Sequence, residues 1–448
     1  MEHKLEKNIF KLMIPIFIEL AFFILMGTVD TVMISIYENS RGLFGSVAAV
    51  GNATTVLNLF GVLINIISMG VGVTVSQYLG AKKRKEANDT IGTGVIVQIF
   101  VGITIMTVLM LTGNLLFSII DTPVDIKPLA NDYLFYGSIG IAFVSITGSI
   151  NAGLRSNGKG KQIVTGAIIA NIGNILFNLI FIYGFWFIPE LGVAGAAIAT
   201  TLMRFMMMII SSFFLFRYVG HNVFKSRVIK EHLDKILKIG IPSALENMSY
   251  NILQFTVLAF INKFGEKTIT ARTYANTILS YVFLFSSSFA SANAIIVGYF
   301  VGEKDYANAI KTTRKVTLTA SIIGFSVTLL INIFRGPLVG LLTQDPMIAE
   351  EVYKVLFLAI FLEIGRVFNM VHLQALRSAN DTRIPLLVAV LSMFGVGIVF
   401  AYIFSIKLSM GLFGVYLGLL LDEFLRGILN MIRFNRKSWL RPLEALQI

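Results

Sequence analysis

Cysteine is absent from the 448-residue chain, which excludes a disulfide framework and any thiolate metal site. Charge is scarce as well: Asp, Glu, Lys and Arg make up 14% of the sequence, where a soluble globular protein carries about 25%. Phosphate-cradling loops, HExxH zinc patterns and nucleophile–base arrangements at usable spacing are all missing, so neither ATP hydrolysis nor other enzymatic chemistry finds support. No cofactor is expected, and work done by such a chain must draw on an ion gradient. Apolar residues fill the space instead. They reach 56% of the sequence with a mean hydropathy of +0.78, values that place the protein in lipid.

A formal net charge of +12 would suggest nucleic acid in a soluble protein. Here the basic residues sit between apolar runs, where the positive-inside bias explains them and anionic headgroups attract them. Membrane lipid is the expected partner and nucleic acid is not. The apolar runs fall at 8–36, 47–79, 88–116, 128–154, 162–186, 191–217, 236–262, 270–301, 308–334, 348–376, 384–406 and 411–434. Each is long enough to cross a bilayer, which predicts an all-α integral membrane protein of about twelve spans. The first run is too long for a signal-peptide core and reads as a retained helix. Basic clusters occupy every second loop: Lys82–Lys85, Arg155–Lys161, Arg217–Lys238, Lys304–Lys315, Arg377–Arg383 and Arg433–Arg441. The alternate loops are short or acidic, as at Asp121–Asp125, with Lys263–Arg272 a mixed exception. Both termini and the long connection 218–235 are therefore expected in the cytoplasm.

The chain also repeats. VSQYLGAKKRKEA at 75–87 aligns with VGYFVGEKDYANA at 297–309, and Leu154-Arg155 with Leu376-Arg377, both at an offset of 222. Upstream, Ile14-Pro15-(x3)-Glu19 aligns with Ile241-Pro242-(x3)-Glu246 at an offset of 227. The expected division is a six-helix lobe over 1–217, a linker over 218–235 and a second lobe over 236–448. Two such pseudo-symmetric lobes in parallel orientation are a transporter signature.

Ionisable residues inside apolar runs are the candidate functional groups, because each costs roughly 2.5–3.5 kcal/mol at membrane depth. The first run carries Pro15, Glu19 and Asp30, a combination suited to a helix that binds something and bends. Asp30 lies about 22 Å along the helix from Pro15, deep in the outer half of the membrane. A carboxylate there can take a proton or hold a Na⁺. Its repeat-mate position, 257, is Val257, whereas Glu19 has a mate in Glu246; Asp30 is thus the expected ion switch and Glu19 framework or cavity mouth. Asn171, Asn174 and Asn178 share one helical face. Glu363, Arg366, Asn369 and His372 recur every three residues on the tenth helix, which suggests a Glu363–Arg366 pair shared with Glu246. Asp422, Glu423 and Arg426 suggest an internal pair on the last helix, with Arg204 playing a similar part. Met203, Met206, Met207 and Met208 offer adaptable surface that is equally well core or lipid-facing. Gly92-Thr93-Gly94 and Gly61–Gly72 suggest close helix packing.

Taken in order, Pro15-(x14)-Asp30-Thr31-x-Met33, VSQYLGAKKRKEA, LRSNGKGK followed by IANIGNILFNLIFIYG, GVAGAAIAT and ALRSANDTRIP resemble the multidrug and toxic compound extrusion (MATE) family over nearly the whole length. The C-terminal GLLLDEFLRGILNMIRFNRKSW is similar to a branch common among bacterial members. The resemblance implies two six-helix lobes forming a V around a central cavity. It further implies a monomer in the bacterial cytoplasmic membrane that exports amphiphilic, often cationic organic compounds in exchange for H⁺ or Na⁺. Partners of Asp30 in the family come from the fifth and sixth helices, and the matching positions here are Asn174, Asn178 and Thr200. Some members carry an aspartate where this chain has Asn178, so this lobe offers one carboxylate rather than two, and the coupling ion stays open. Pro15 matches the family's first-helix bend; a proline tolerated in a first helical turn is the plain alternative. Sodium-coupled members place a seventh-helix glutamate where Tyr250 stands, one turn beyond Glu246, and an aspartate where Arg366 stands. A fixed positive charge at Arg366 argues against a cation site in the second lobe. A lipid-linked precursor flippase or exporter of the same superfamily is the alternative function, disfavoured by the helix count and the acidic residues.

Overall fold

The computed structural model describes residues 8–42, 45–120, 122–186, 188–220, 223 and 228–440. Asp121, Arg441 and residues 221, 222 and 224–227 of the predicted 218–235 connection lie outside the described residues. Each predicted apolar run overlaps one long helix. In chain order these are α1 (Ile9–Arg41), α2 (Ser46–Gly80), α3 (Arg84–Ile119), α4 (Lys127–Ser156), α5 (Gly160–Tyr183), α6 (Gly192–Tyr218), α7 (Lys230–Ile261), α8 (Glu266–Gly302) and α9 (Tyr306–Ile333). A short helix, Arg335–Gly340, precedes α10 (Pro346–Ser378), α11 (Arg383–Lys407) and α12 (Gly411–Asn435). Ten of these are long and apolar enough to cross a membrane. The other two, α7 and α12, are made more polar by Glu246, Asn247, Asn251 and Gln254 in one and by Asp422, Glu423 and Arg426 in the other.

Local signals explain the boundaries. Asp345 caps α10, its Oδ1 accepting from the backbone N–H of Met347 at 2.9 Å with Pro346 following in the first turn. Asp305 caps α9 by accepting from the Asn308 N–H. The predicted run 162–186 ends early because Gly184 adopts φ +78, a conformation that breaks the helix at little cost only for glycine. Residues 230–235, expected in the connection, instead form the first turns of α7.

The repeat seen in sequence is also present in the backbone. Gly80 and Gly302 end α2 and α8, and Ser156 and Ser378 end α4 and α10, each pair 222 residues apart. Lys82 and Lys304 both take φ +60, while Gly158 and Asn380 take φ +71 and +62, again at the offset of 222. Residue contacts divide the chain into two compact units. The first holds α1 from Ile18, α2 to Leu79, and Lys83–Gly240. The second holds α1 up to Phe17, the turn Gly80–Lys82, and everything from Ile241.

Within the first unit α4 packs against both α3 and α6, and within the second its repeat-mate α10 packs against α8, α9 and α12. The central helices are the covered ones: the apolar windows of α4, α8 and α10 are 61%, 67% and 67% buried, against 22% for α1 and 28% for α9 and α11. Large apolar side chains such as Phe100, Leu111, Ile119 and Leu391 face outward, as lipid-facing surfaces require. Of the small-residue patterns, Gly94 lies hard against Val71, and in Gly61–Gly72 a Cβ at Gly70 would lie 2.3 Å from the Ile236 carbonyl oxygen while Gly61 faces open space, so the predicted close packing holds at the first and at one end of the second.

Candidate functional site

Asp30 sits eleven residues from the C-terminal end of α1 and is 1% exposed, so it is no helix-end carboxylate in water. Two helices of the first unit supply its partners. The Asn178 side-chain amide donates to Asp30 Oδ1 at 2.7 Å, and the Thr200 hydroxyl donates to Oδ2. Asn174 donates to Thr200 Oγ1 at 2.9 Å and accepts from Asn178 at 3.3 Å. Asn178 and Asn174 are one turn apart on α5, and GVAGAAIAT lets α6 approach α5 closely: a Cβ at Gly195 would lie 2.3 Å from the Phe181 carbonyl oxygen. Four side chains distant in sequence thus form one buried polar cluster. One atom in it is left over, since Asn178 Oδ1 is buried without a hydrogen-bond partner. Asn171 turns away and donates to the Ala167 carbonyl.

The cluster opens on a cavity of about 770 Å³ inside the first unit. Glu19 and Asp30 line it on α1, Tyr133, Asn151 and Arg155 on α4, and Met203, Arg204 and Met207 on α6. Two carboxylates and two guanidiniums therefore share a mainly apolar space with neutral polar side chains among its lining, of a size that accommodates a drug-sized organic molecule. Arg204 belongs to this wall rather than to an internal ion pair. Met203 and Met207 face the cavity, whereas Met206 is exposed on the outer surface. Pro15 lies inside α1, seven residues into the helix, which removes the first-turn explanation.

Glu19 and Glu246 meet partners that spacing alone did not identify. Glu19 faces Arg155, with Nε 3.7 Å from Oε2, and accepts from the Asn151 amide at 3.3 Å. Glu246 is buried and bonded to Arg377 at 2.8 Å. This overturns the expected sharing of Glu246 with Glu363 and Arg366. Arg155 and Arg377 are repeat-mates, as are Glu19 and Glu246, so each unit builds the same acid–base pair. The signal was present in the sequence as two separate repeat matches; the pairing between them needed the fold.

The tenth-helix stripe divides among different neighbours. Glu363 pairs with Arg366 at 3.0 Å and accepts from the Ser286 hydroxyl. Asn369 donates to Glu423 at 2.9 Å. His372 is held against the Phe368 carbonyl and the rings of Phe368 and Phe434, which leaves it inside the core rather than on a proton path. On α12, Arg426 bridges Asp422 at 2.6 Å and Glu423 at 3.0 Å, as the sequence suggested. Tyr250, Arg366, Asp422, Glu423 and Arg426 line a smaller cavity of about 350 Å³ in the second unit. Among the described residues no group of three His, Asp or Glu side chains is placed to hold a metal ion.

Fold and site together define a polytopic membrane transport protein. The sequence profile of the family described as MatE matches residues 15–180 and 242–403, one segment in each half, and the chain belongs to that family. It is 33% identical to the uncharacterized transporter YisQ of Bacillus subtilis (strain 168), over 97% of this chain and 95% of that protein. It is 26% identical to a probable multidrug resistance protein NorM of Thermotoga maritima, over 97% and 93%. A solved structure of MATE in the bent conformation superposes with a TM-score of 0.86 at 23% identity, covering 98% of this chain and 96% of that one.

Proposed function

We propose that this protein is a secondary-active multidrug exporter that moves amphiphilic, mainly cationic organic compounds outward in exchange for H⁺ or Na⁺ taken up at Asp30. It would work as a monomer in the bacterial cytoplasmic membrane, with both termini in the cytoplasm. The observation that carries the proposal is a single carboxylate, Asp30, buried among uncharged donors on the wall of a 770 Å³ cavity. Relatives named as probable multidrug resistance proteins support the choice of cargo.

The arrangement suits reversible loading. Ionised, Asp30 is stabilised by charge-assisted hydrogen bonds from Asn178 and Thr200. The Asn178 side chain that donates to Asp30 also carries an unpartnered acceptor, Oδ1, which the protonated acid would use. The carboxylate and the side-chain oxygens of Asn174, Asn178 and Thr200 are hard donors of the kind Na⁺ would take. Either ion neutralises Asp30, leaving Glu19 as the carboxylate on the cavity wall, and changes what α1 can hold there. Pro15 breaks one helical hydrogen bond in the same helix, which makes it the natural place for α1 to bend.

Uptake of a fluorescent organic cation by inside-out vesicles tests this, with a proton gradient alone and then a Na⁺ gradient alone. One gradient is expected to drive uptake, and Asp30→Asn is expected to abolish the driven component. Uptake in the Asn variant at the wild-type rate would overturn the proposal.

A further inference from the structure

The same acid–base pair is built twice, tightly in one unit and loosely in the other. In the second unit Arg377 donates to Glu246 at 2.8 Å, and the side chains are 5% and 9% exposed. In the first, Arg155 Nε stands 3.7 Å from Glu19 Oε2 with the side chains 27% and 17% exposed, beyond hydrogen-bond length. The residue between them differs as well. Adding the repeat offset to Asn151, 151 + 222 = 373, gives Leu373, a buried apolar residue. Asn151 lines the cavity and donates its amide to Glu19, which leaves its Oδ1 buried behind that surface with no hydrogen-bond partner. Asn151 itself is only 5% exposed, and an orphaned buried acceptor is destabilising. A donor supplied from outside the chain would satisfy it.

We infer that Glu19 and Asn151 form a head-group site selective for organic cations that carry N–H bonds, such as protonated amines and guanidines, which take Arg155's place on Glu19. The proposal rests on the exporter reading and narrows its cargo. The ammonium charge pairs with the Glu19 carboxylate, and one N–H is donated to Asn151 Oδ1. A quaternary ammonium has charge but no donor, so it satisfies the first group and leaves the second orphaned. Met203 and Met207 line the same cavity and offer adaptable apolar contact to the body of the molecule. Arg155 gives up only long contacts when it leaves: its Nε stands 3.7 Å from Glu19 Oε2 and donates to the Asn151 backbone carbonyl at 3.4 Å.

The test is equilibrium binding to purified full-length protein in detergent of 4-phenylbutylammonium and its N,N,N-trimethyl analogue. The wild type is expected to bind the primary ammonium about tenfold or more tightly than the trimethyl compound. Asn151→Leu, which installs the side chain found at the repeat-mate position, should erase that preference while still binding both. Glu19→Gln should weaken both heads about tenfold or more, and being nearly isosteric it serves even if the Leu variant fails to fold. Equal binding of the two heads by the wild type, or an unchanged preference in Asn151→Leu, overturns the inference, as does unweakened binding in Glu19→Gln. Vesicle transport separates the two levels of the argument. If ion-driven cation uptake occurs but is indifferent to the head group, the exporter reading stands and the site does not. If the wild type neither binds nor transports any organic cation, both fall.

Discussion

Glu246→Gln and Glu19→Gln make the same chemical change at repeat-equivalent positions, yet the structure assigns them very different costs. Glu246 and Arg377 are bonded at 2.8 Å with side chains 9% and 5% exposed. Removing the acid leaves a guanidinium buried without its counter-charge, a change that typically costs about 3–5 kcal/mol. Glu19 and Arg155 lie 3.7 Å apart on a cavity wall, so their pair belongs with weak, solvent-screened contacts worth about 0–1 kcal/mol. For a unit of about 200 residues, 1 kcal/mol moves the melting midpoint by roughly 2–4 °C. The expected shifts are therefore about 6–20 °C downward for Glu246→Gln and no more than about 4 °C for Glu19→Gln. Thermal unfolding in detergent, followed by intrinsic fluorescence, reads both. Glu246→Gln combined with Arg377→Met should recover much of the loss, because the stranded charge is removed as well. Equal shifts in the two single variants, or no recovery in the double variant, would refute the reasoning.

Gly195→Ala places a Cβ 2.3 Å from the Phe181 carbonyl oxygen, forcing α5 and α6 apart; a loss of about 1–3 kcal/mol is expected, and an unchanged midpoint would contradict it. Arg366→Ala strands the buried Glu363 carboxylate, so thermal stability should fall while turnover per folded molecule is preserved; lost turnover in a fully folded sample would mean the pair takes part in transport. Lys267, 2.7 Å from Asp345, together with the capping N–H of Met347, holds that carboxyl below the usual range. Its folded value lies below its unfolded value of about 3.9, so its contribution is present above that pH and is lost as pH falls through the depressed value. The midpoints of wild type and Asp345→Asn should differ at pH 7 and converge in strong acid; a gap that persists there would contradict this.

Much of the fold was legible because lipid enforces simple rules. A segment that crosses hydrocarbon must satisfy its own backbone, so apolar runs become helices, and all twelve runs did. The offset of 222 read from the sequence recurs in the backbone, where Lys82 and Lys304 take the same turn geometry. Asp30 stood out because an isolated carboxylate at that depth has a high cost, and its neighbours Asn174, Asn178 and Thr200 were reached through the family resemblance. Asn151 and Tyr133 went unremarked, being neutral side chains in an ordinary helix; only their position on a cavity wall gives them meaning.

By itself, then, the sequence determined the helices, the duplication and the identity of the buried acids, all of which are properties of the chain in one dimension. Tertiary structure alone decided the partners. Spacing joined Glu246 to Arg366, whereas the fold brings it to Arg377, 131 residues away, and brings Glu19 to Arg155 on α4. It also groups the first turns of α1 with the second unit. The physical reason is the same in each case: periodicity fixes which face of a helix a residue occupies, while helix rotation and packing fix what that face meets.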